Sequence, residues 1–122
     1  MIVAGFGFTS KATVSSLRSA FRAATGGSDV DIIAAPEDKA VSEVLRVFSE
    51  EQSRPVQPIR PETLQTTETA THSGRIKALR GTGSVAEACA LSAAGANARL
   101  LTTRQTSSDR QATCALAIGG LT

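Results

Sequence analysis

Residues 81–91, GTGSVAEACAL, gather the residue types that could receive an anion or move a proton. Gly81 and Gly83 leave a backbone free of side chains just ahead of a helix start. Unpaired N–H groups and the helix dipole there favour a carboxylate or a phosphate. Ser84 and Glu87 fit the S-x-x-E capping box, in which the serine accepts from the glutamate backbone and the glutamate reaches back to the serine N–H. That structural use competes with a role for Glu87 as a general base, and it is the commoner use of this spacing. Five alanines and Cys89 then give the helix a face made for close packing.

A second glycine pair, Gly5 and Gly7 in GFGF (5–8), offers a similar anion-receiving turn after a first strand and before Ser10. It does not complete a dinucleotide fingerprint. The third glycine is replaced by Ser10, and only Asp29 and Asp31 approach the place of the ribose-binding acid. No G-x-x-x-x-G-K-[ST] loop occurs, so no nicotinamide, flavin or other cofactor is expected; a small nucleotide-binding domain rests on the glycine turns alone. His72 is the sole histidine; it could serve as a general base or an axial metal ligand, but a lone imidazole in a threonine-rich stretch is by default exposed. Lys39 and Glu43 stand four apart on an expected helix, either as a weak surface ion pair or with Lys39 turned toward a ligand rim. Cys89 and Cys114 lie among alanines and read as small buried hydrophobes, with no disulfide and no metal site.

The cations are unevenly spread. Residues 1–68 hold seven basic and nine acidic groups, whereas residues 69–122 hold Arg75, Lys77, Arg80, Arg99, Arg104 and Arg110 against only Glu87 and Asp109. The excess points to an anionic partner in the half that carries the opening motif. With four Phe and neither Tyr nor Trp, stacking on nucleic-acid bases is not expected. No apolar run is long enough to span a membrane, and MIVAGFGF reads as a strand rather than a signal peptide, so a cytoplasmic protein is expected.

The elements that must hold these groups follow from periodicity. IVAGFGF (2–8), DVDIIAA (29–35), RPVQPI (54–59), ARLLT (98–102) and ATCALAI (112–118) read as strands, the third near an edge because of its prolines. Val14, Leu17, Phe21 and Ala24 mark one helix face, ended by TGG (25–27) and capped by Ser10. A second helix begins at Pro36 and buries Val41, Val44, Leu45 and Phe48. Pro61–Leu64 could form one further turn, residues 65–74 are polar, and the helix that opens at Ser84 runs to about Gly95. The order predicts one domain over residues 1–122: a three-layer α/β/α fold whose mostly parallel, five-stranded mixed sheet closes in an antiparallel hairpin with a polar loop at 103–111.

Four segments, GFGFTSKAT (5–13), AAPEDKAVSEVL (34–45), GTGSVAEACAL (81–91) and LTTRQTSSDRQATCALA (101–117), resemble the CobE family, the stand-alone relative of the C-terminal domain of CbiG. Both act in cobalamin (vitamin B12) biosynthesis. The resemblance puts the family's first glycine pair on Gly5 and Gly7 and its helix lysine and glutamate on Lys39 and Glu43. Its G-x-x-S-V-A-E start falls on Gly81, Ser84, Val85, Ala86 and Glu87, and its basic residue after the fourth strand on Arg104. Relatives carry Cys and Arg after the first glycine pair, where this chain has Phe8, Thr9, Ser10 and Lys11.

The resemblance implies binding or handing on of a corrin or precorrin intermediate, with other cobalamin-pathway enzymes as possible partners. Such an intermediate is an apolar macrocycle fringed with carboxylates. Gly5, Gly7, Lys11, Lys39, Gly81, Gly83, Ser84 and Arg104 are the candidate contacts, with Arg75 and Arg80 as further cations. The alternative is a hydrolase that opens a precorrin lactone, as in CbiG (a cobalt-precorrin-5A hydrolase), with Glu87 or His72 as base.

Overall fold

In the computed structural model the described residues are 1–60, 83–95 and 97–119. Strand β1 (Ile2–Phe8) leads to helix α1 (Val14–Thr25) and strand β2 (Ile32–Pro36). Two short helices follow, α2 (Glu37–Ala40) and α3 (Glu43–Gln52), then strand β3 (Val56–Ile59). Helix α4 (Gly83–Ala94) precedes the hairpin of β4 (Arg99–Thr106) and β5 (Ala112–Ile118). The sheet order is β3-β2-β1-β5-β4. β1, β2 and β3 are parallel neighbours, and β5 is antiparallel to both β1 and β4. Four strands therefore run one way and β5 alone opposes them, which is the expected mixed α/β sheet.

Alternation along β1 divides the interior into two cores. Ala4, Phe6 and Phe8 face Leu17 and Ala20 of α1 and Leu45 and Phe48 of α3. Val3 faces the other way, with Ala34 of β2 and Val85, Ala88 and Cys89 of α4. The sheet is thus covered on both sides, giving three layers. Three of the four phenylalanines form one cluster: Phe48 meets Phe6 and Phe21 edge-on at 5.3 Å each, and Phe6 and Phe21 lie 6.2 Å apart.

On the far side of the sheet the sequence reaches the same tightness with small residues. A Cβ placed on Gly5 would stand 2.2 Å from the Ala86 carbonyl oxygen and 2.5 Å from the Ala90 nitrogen. Glycine here lets the backbone of α4 lie directly on β1, and the alanines of α4 complete the contact. The two cysteines occupy different cores, Cys89 under α4 and Cys114 beside Phe6's side of the sheet, so the sheet separates them. Both are buried, as their alanine-rich surroundings predict.

Several local expectations change. The cap of α1 is Thr13, not Ser10: its hydroxyl accepts from the Ser16 N–H while Ser16 returns a bond to the Thr13 N–H. β1 runs through Phe8, and a turn closed by Ala12 N–H to Thr9 C=O is needed before a helix can start. Gly26, at φ 59°, ends α1 as the TGG motif requires. The helix expected from Pro36 onward is two helices. Pro36 closes β2, and Ser42 takes an extended conformation (ψ 148°) and caps α3 by accepting from the Leu45 N–H. A serine hydroxyl competes well for such a position. The break leaves Val41 at 83% exposure instead of in the buried stripe.

Candidate functional site

Ala94 C=O lies beside Gly119 and Met1 at the amino end of β1, while residues 86–90 lie over Gly5. Helix α4 therefore runs against β1, and its start reaches the end of the sheet where β1, β2, β3 and β4 finish. In α/β folds this carboxyl rim is where ligands bind. The tips of those strands, the first turn of α4 and the β4–β5 hairpin make up the rim here.

Gly5 and Gly7 do not contribute a turn to it. Both lie inside β1, because the strand continues to Phe8. Gly5 is filled by the backbone of α4, and the Gly7 carbonyl accepts from the Thr113 hydroxyl at 3.2 Å. Nor is the start of α1 open to an anion, because the chain supplies its own. Asp109 of the hairpin accepts from the Ser16 hydroxyl at 2.5 Å, from the Ser107 hydroxyl at 2.6 Å and from the Gln111 N–H at 3.1 Å. Those bonds, from Ser107 and then Ser16 and the Gln111 backbone, hold the Asp109 carboxyl below its ordinary range. Thr9 ties the other side of the hairpin, donating its hydroxyl to Gln111 Oε1 at 2.6 Å and its N–H to the Gln111 carbonyl at 2.9 Å. The polar run TSSD marks these residues as a loop, but nothing in its spacing reveals that the aspartate plugs a helix start.

Three of the expected cations stand at the rim or beside α4. Lys39 reaches back from α2 so that Nζ lies 5.4 Å from the centroid of the Phe8 ring, at the tip of β1. Glu43 begins the next helix and pairs instead with Arg46 at 3.5 Å, so Lys39 and Glu43 are not an i,i+4 pair on one helix. Lys11 is exposed in the turn after β1, its N–H bonded to the Thr9 hydroxyl at 3.1 Å. Arg104 is exposed and lies within β4, not after it, because that strand extends to Thr106 and leaves only residues 107–111 as loop.

β4 pairs irregularly with β5 where Arg104 sits. Thr102 is opposite Leu116 and Gln105 opposite Cys114, so Thr103 and Arg104 together face Ala115. This is a bulge. Ala115 also pairs with Gly5, which puts this part of the sheet on the α4 side. There the Arg104 N–H donates to Glu87 Oε2 at 3.0 Å. Glu87 is fully buried and its carboxylate bonds to β4, so it does not present a base to an open cleft. Gly83 opens α4. Gly81, His72, Arg75, Arg80 and the side chain of Ser84 lie outside the described residues, as do the expected turn at 61–64 and the polar segment 65–74.

A separate hollow of about 250 Å³ lies at the opposite end of the sheet, between the ends of α1 and α3 and the start of β2. Arg18, Arg22 and Arg54 line it. Arg18 pairs with Glu51 at 2.5 Å, and Arg54 donates to the carbonyls of Val30 and Ser53. Two helix C-termini meet there, so these arginines offset negative dipole ends, and the hollow is no anion cradle.

The family model described as "Cobalamin synthesis G C-terminus" matches residues 2–117. Among solved structures, CobE, a protein from the cobalamin (vitamin B12) biosynthetic pathway, is similar at 27% identity and a TM-score of 0.76, over 96% of this chain and 89% of that one. Cobalamin biosynthesis protein chiG from Agrobacterium tumefaciens str. C58 is similar at 30% identity and a TM-score of 0.76, over 99% of this chain and all of that one (100%). A cobalamin biosynthesis protein G homolog from Sulfolobus solfataricus shares the fold at 20% identity and a TM-score of 0.70; the match covers 36% of that longer chain. No curated protein is matched. Among the described residues no helix is long and apolar enough to cross a membrane.

Proposed function

Because the chain belongs to the cobalamin synthesis G C-terminus family, we propose that it binds a corrin-ring intermediate at the carboxyl rim and hands it on. Membership makes it a protein of cobalamin biosynthesis; the bound intermediate is the reading developed here. A corrin precursor presents an apolar ring edged by acetate and propionate groups, so its binder needs separated cations around an uncharged surface. The observation that carries the reading is Lys39, whose ammonium is held over Phe8 at the tip of β1 without an acidic partner among the described residues. An ammonium kept in place by a ring face remains able to bond a ligand carboxylate. Lys11, Arg104 and the backbone at Gly83 and Ser84 belong to the same proposed surface. Gly5 and Gly7 do not, since β1 uses them for packing and pairing.

Handing on fits the chemistry better than turnover does, because Glu87, the one described candidate base, is buried against β4. The test is a visible-absorbance titration with hydrogenobyrinic acid at low and high salt, followed by recovery of the ligand. Saturable binding that weakens with salt, with the ligand recovered unchanged, is the expected result. Lys39→Ala and Arg104→Ala should each raise Kd by roughly three- to tenfold, as for loss of one exposed charged contact. Absence of binding at both salt concentrations refutes the reading, and recovery of an altered ligand replaces binding with catalysis.

A further inference from the structure

We infer that Glu87 is a positioning residue, which sets where Arg104 stands by holding the bulge of β4. A carboxylate at 0% exposure costs more to bury than an apolar side chain of the same size. This one lies in an otherwise small and apolar helix face, between Ala86, Ala88 and Cys89. Its Oε2 accepts from the backbone N–H of Arg104, where β4 leaves its ladder with β5.

The bulge has a directional consequence. Leu100 pairs with Ala117, on the α4 side of the sheet, and Thr102 pairs with Leu116, on the α1 side. Thr103 and Arg104 then share the position opposite Ala115, and Gln105 resumes on the α1 side opposite Cys114. In a regular ladder one residue would stand between Thr102 and Gln105, and the next would be paired and turned to the α1 side. The extra residue keeps Arg104 exposed and on the side of the helix start. An N–H displaced from a ladder needs an acceptor, and the Glu87 carboxylate is that acceptor. Glu87 thereby links the first turns of α4 to the cation beside them. It touches no ligand in this scheme; it acts through Arg104.

The inference rests on the reading that Arg104 meets a ligand carboxylate, so its test has one arm with ligand and one without. The variants are Glu87→Gln, which keeps an acceptor, and Glu87→Met, which removes it at similar volume. Without ligand, hydrogen exchange at the Arg104 amide is followed by NMR. Glu87→Gln should stay within about threefold of the parent and Glu87→Met should exchange at least about tenfold faster. With hydrogenobyrinic acid as the probe, Glu87→Met should weaken binding about as much as Arg104→Ala does, and the double variant should be no weaker than either.

Unchanged protection of the Arg104 amide in Glu87→Met overturns the inference, as does equal loss of protection in Glu87→Gln. Binding losses that add fully in the double variant also overturn it. Should the parent protein not bind the probe, the proposed function fails, and the exchange arm still decides whether Glu87 holds the bulge. If Glu87→Met does not fold, the Gln variant alone decides: loss of amide protection in it refutes the inference.

Discussion

Replacing Gly5 with alanine tests the packing of α4 on β1 directly. The added Cβ would meet Ala86 O at 2.2 Å and Ala90 N at 2.5 Å, both backbone atoms. Ordinary contact lies near ~3.5 Å, so α4 must retreat by about 1 Å over its most buried turn. No rotamer change relieves the clash, because the obstacle is the helix itself. Overpacking of this kind costs ~1–3 kcal/mol, and retreat of the helix adds lost dispersion along Val85–Ala90. Alanine recovers up to ~1 kcal/mol through the less flexible unfolded chain. The net expectation is a loss of about 3 kcal/mol, out of a total of ~5–15 kcal/mol for a domain of this kind.

The assay is urea unfolding followed by far-UV circular dichroism, with thermal unfolding as a check. The urea midpoint should fall at constant slope, and Tm should fall by roughly 12 °C. Gly26→Ala is the comparison: its φ of 59° disfavours a side chain, but no atom stands within 4 Å of the new Cβ. That change should cost only about 1 kcal/mol. If Gly5→Ala is no more destabilising than Gly26→Ala, the close approach of helix and strand is wrong. A glycine kept for a ligand would show the reverse pattern, with stability intact and corrinoid binding lost.

Asp109 gives a pH prediction. Its folded-state pKa is depressed by Ser107, Ser16 and the Gln111 backbone, so the unfolded chain binds the proton more readily. The stability it contributes is present above the ordinary aspartate pKa and is lost as pH falls through that range toward the lowered value. The stability difference between the parent and Asp109→Asn should therefore be constant above about pH 5 and shrink as pH falls below about pH 4; a difference that does not change across the range would refute the plug. Phe48→Ala removes the ring shared by Phe6 and Phe21 and should cost ~3–5 kcal/mol in the same urea assay. Burial raises the Cys114 thiol pKa. Labelling of both cysteines by an aromatic disulfide reagent should then follow the rate of unfolding rather than reagent concentration.

Strand and helix identities were legible because their signals are local. ATCALAI gives β5 at its observed bounds, and the stripe from Val14 to Ala24 gives α1. Most of the errors share one cause, a partner distant in sequence; the break at Val41 is the local exception. Nothing near Gly5 announces that α4, some eighty positions later, will occupy the space where its Cβ would be. Gly5-x-Gly7 has the look of a turn, yet pairing of both glycines with β5, and of Gly5 with β2 as well, keeps it extended. Val41 fits the helical period, but the cap formed by Ser42 outweighs one apolar contact. Glu87 satisfies a local capping pattern while its Oε2 serves the backbone of another strand. For the candidate site, the place of Lys39 early in a helix after β2 was legible, whereas the self-filled start of α1 was not, because Asp109 and Ser16 are brought together only by the hairpin folding over the helix.

The irregular outer strands bear on how the molecule behaves in a crowded solution. Among the described residues β3 and β4 bound the sheet. β3 is four residues long and carries Pro58, which has no N–H to offer a neighbour. β4 is longer, but shifts of register at Leu101 and again at Thr103–Arg104 break the even row of donors and acceptors that another chain could extend. Exposed Arg99 and Arg104 add charge to that border. Such edges resist templated strand addition and the fibres that grow from it. The irregularity at Thr103–Arg104 thus also protects against aggregation: a regular, uncharged β4 would be a smoother strand and a stickier one.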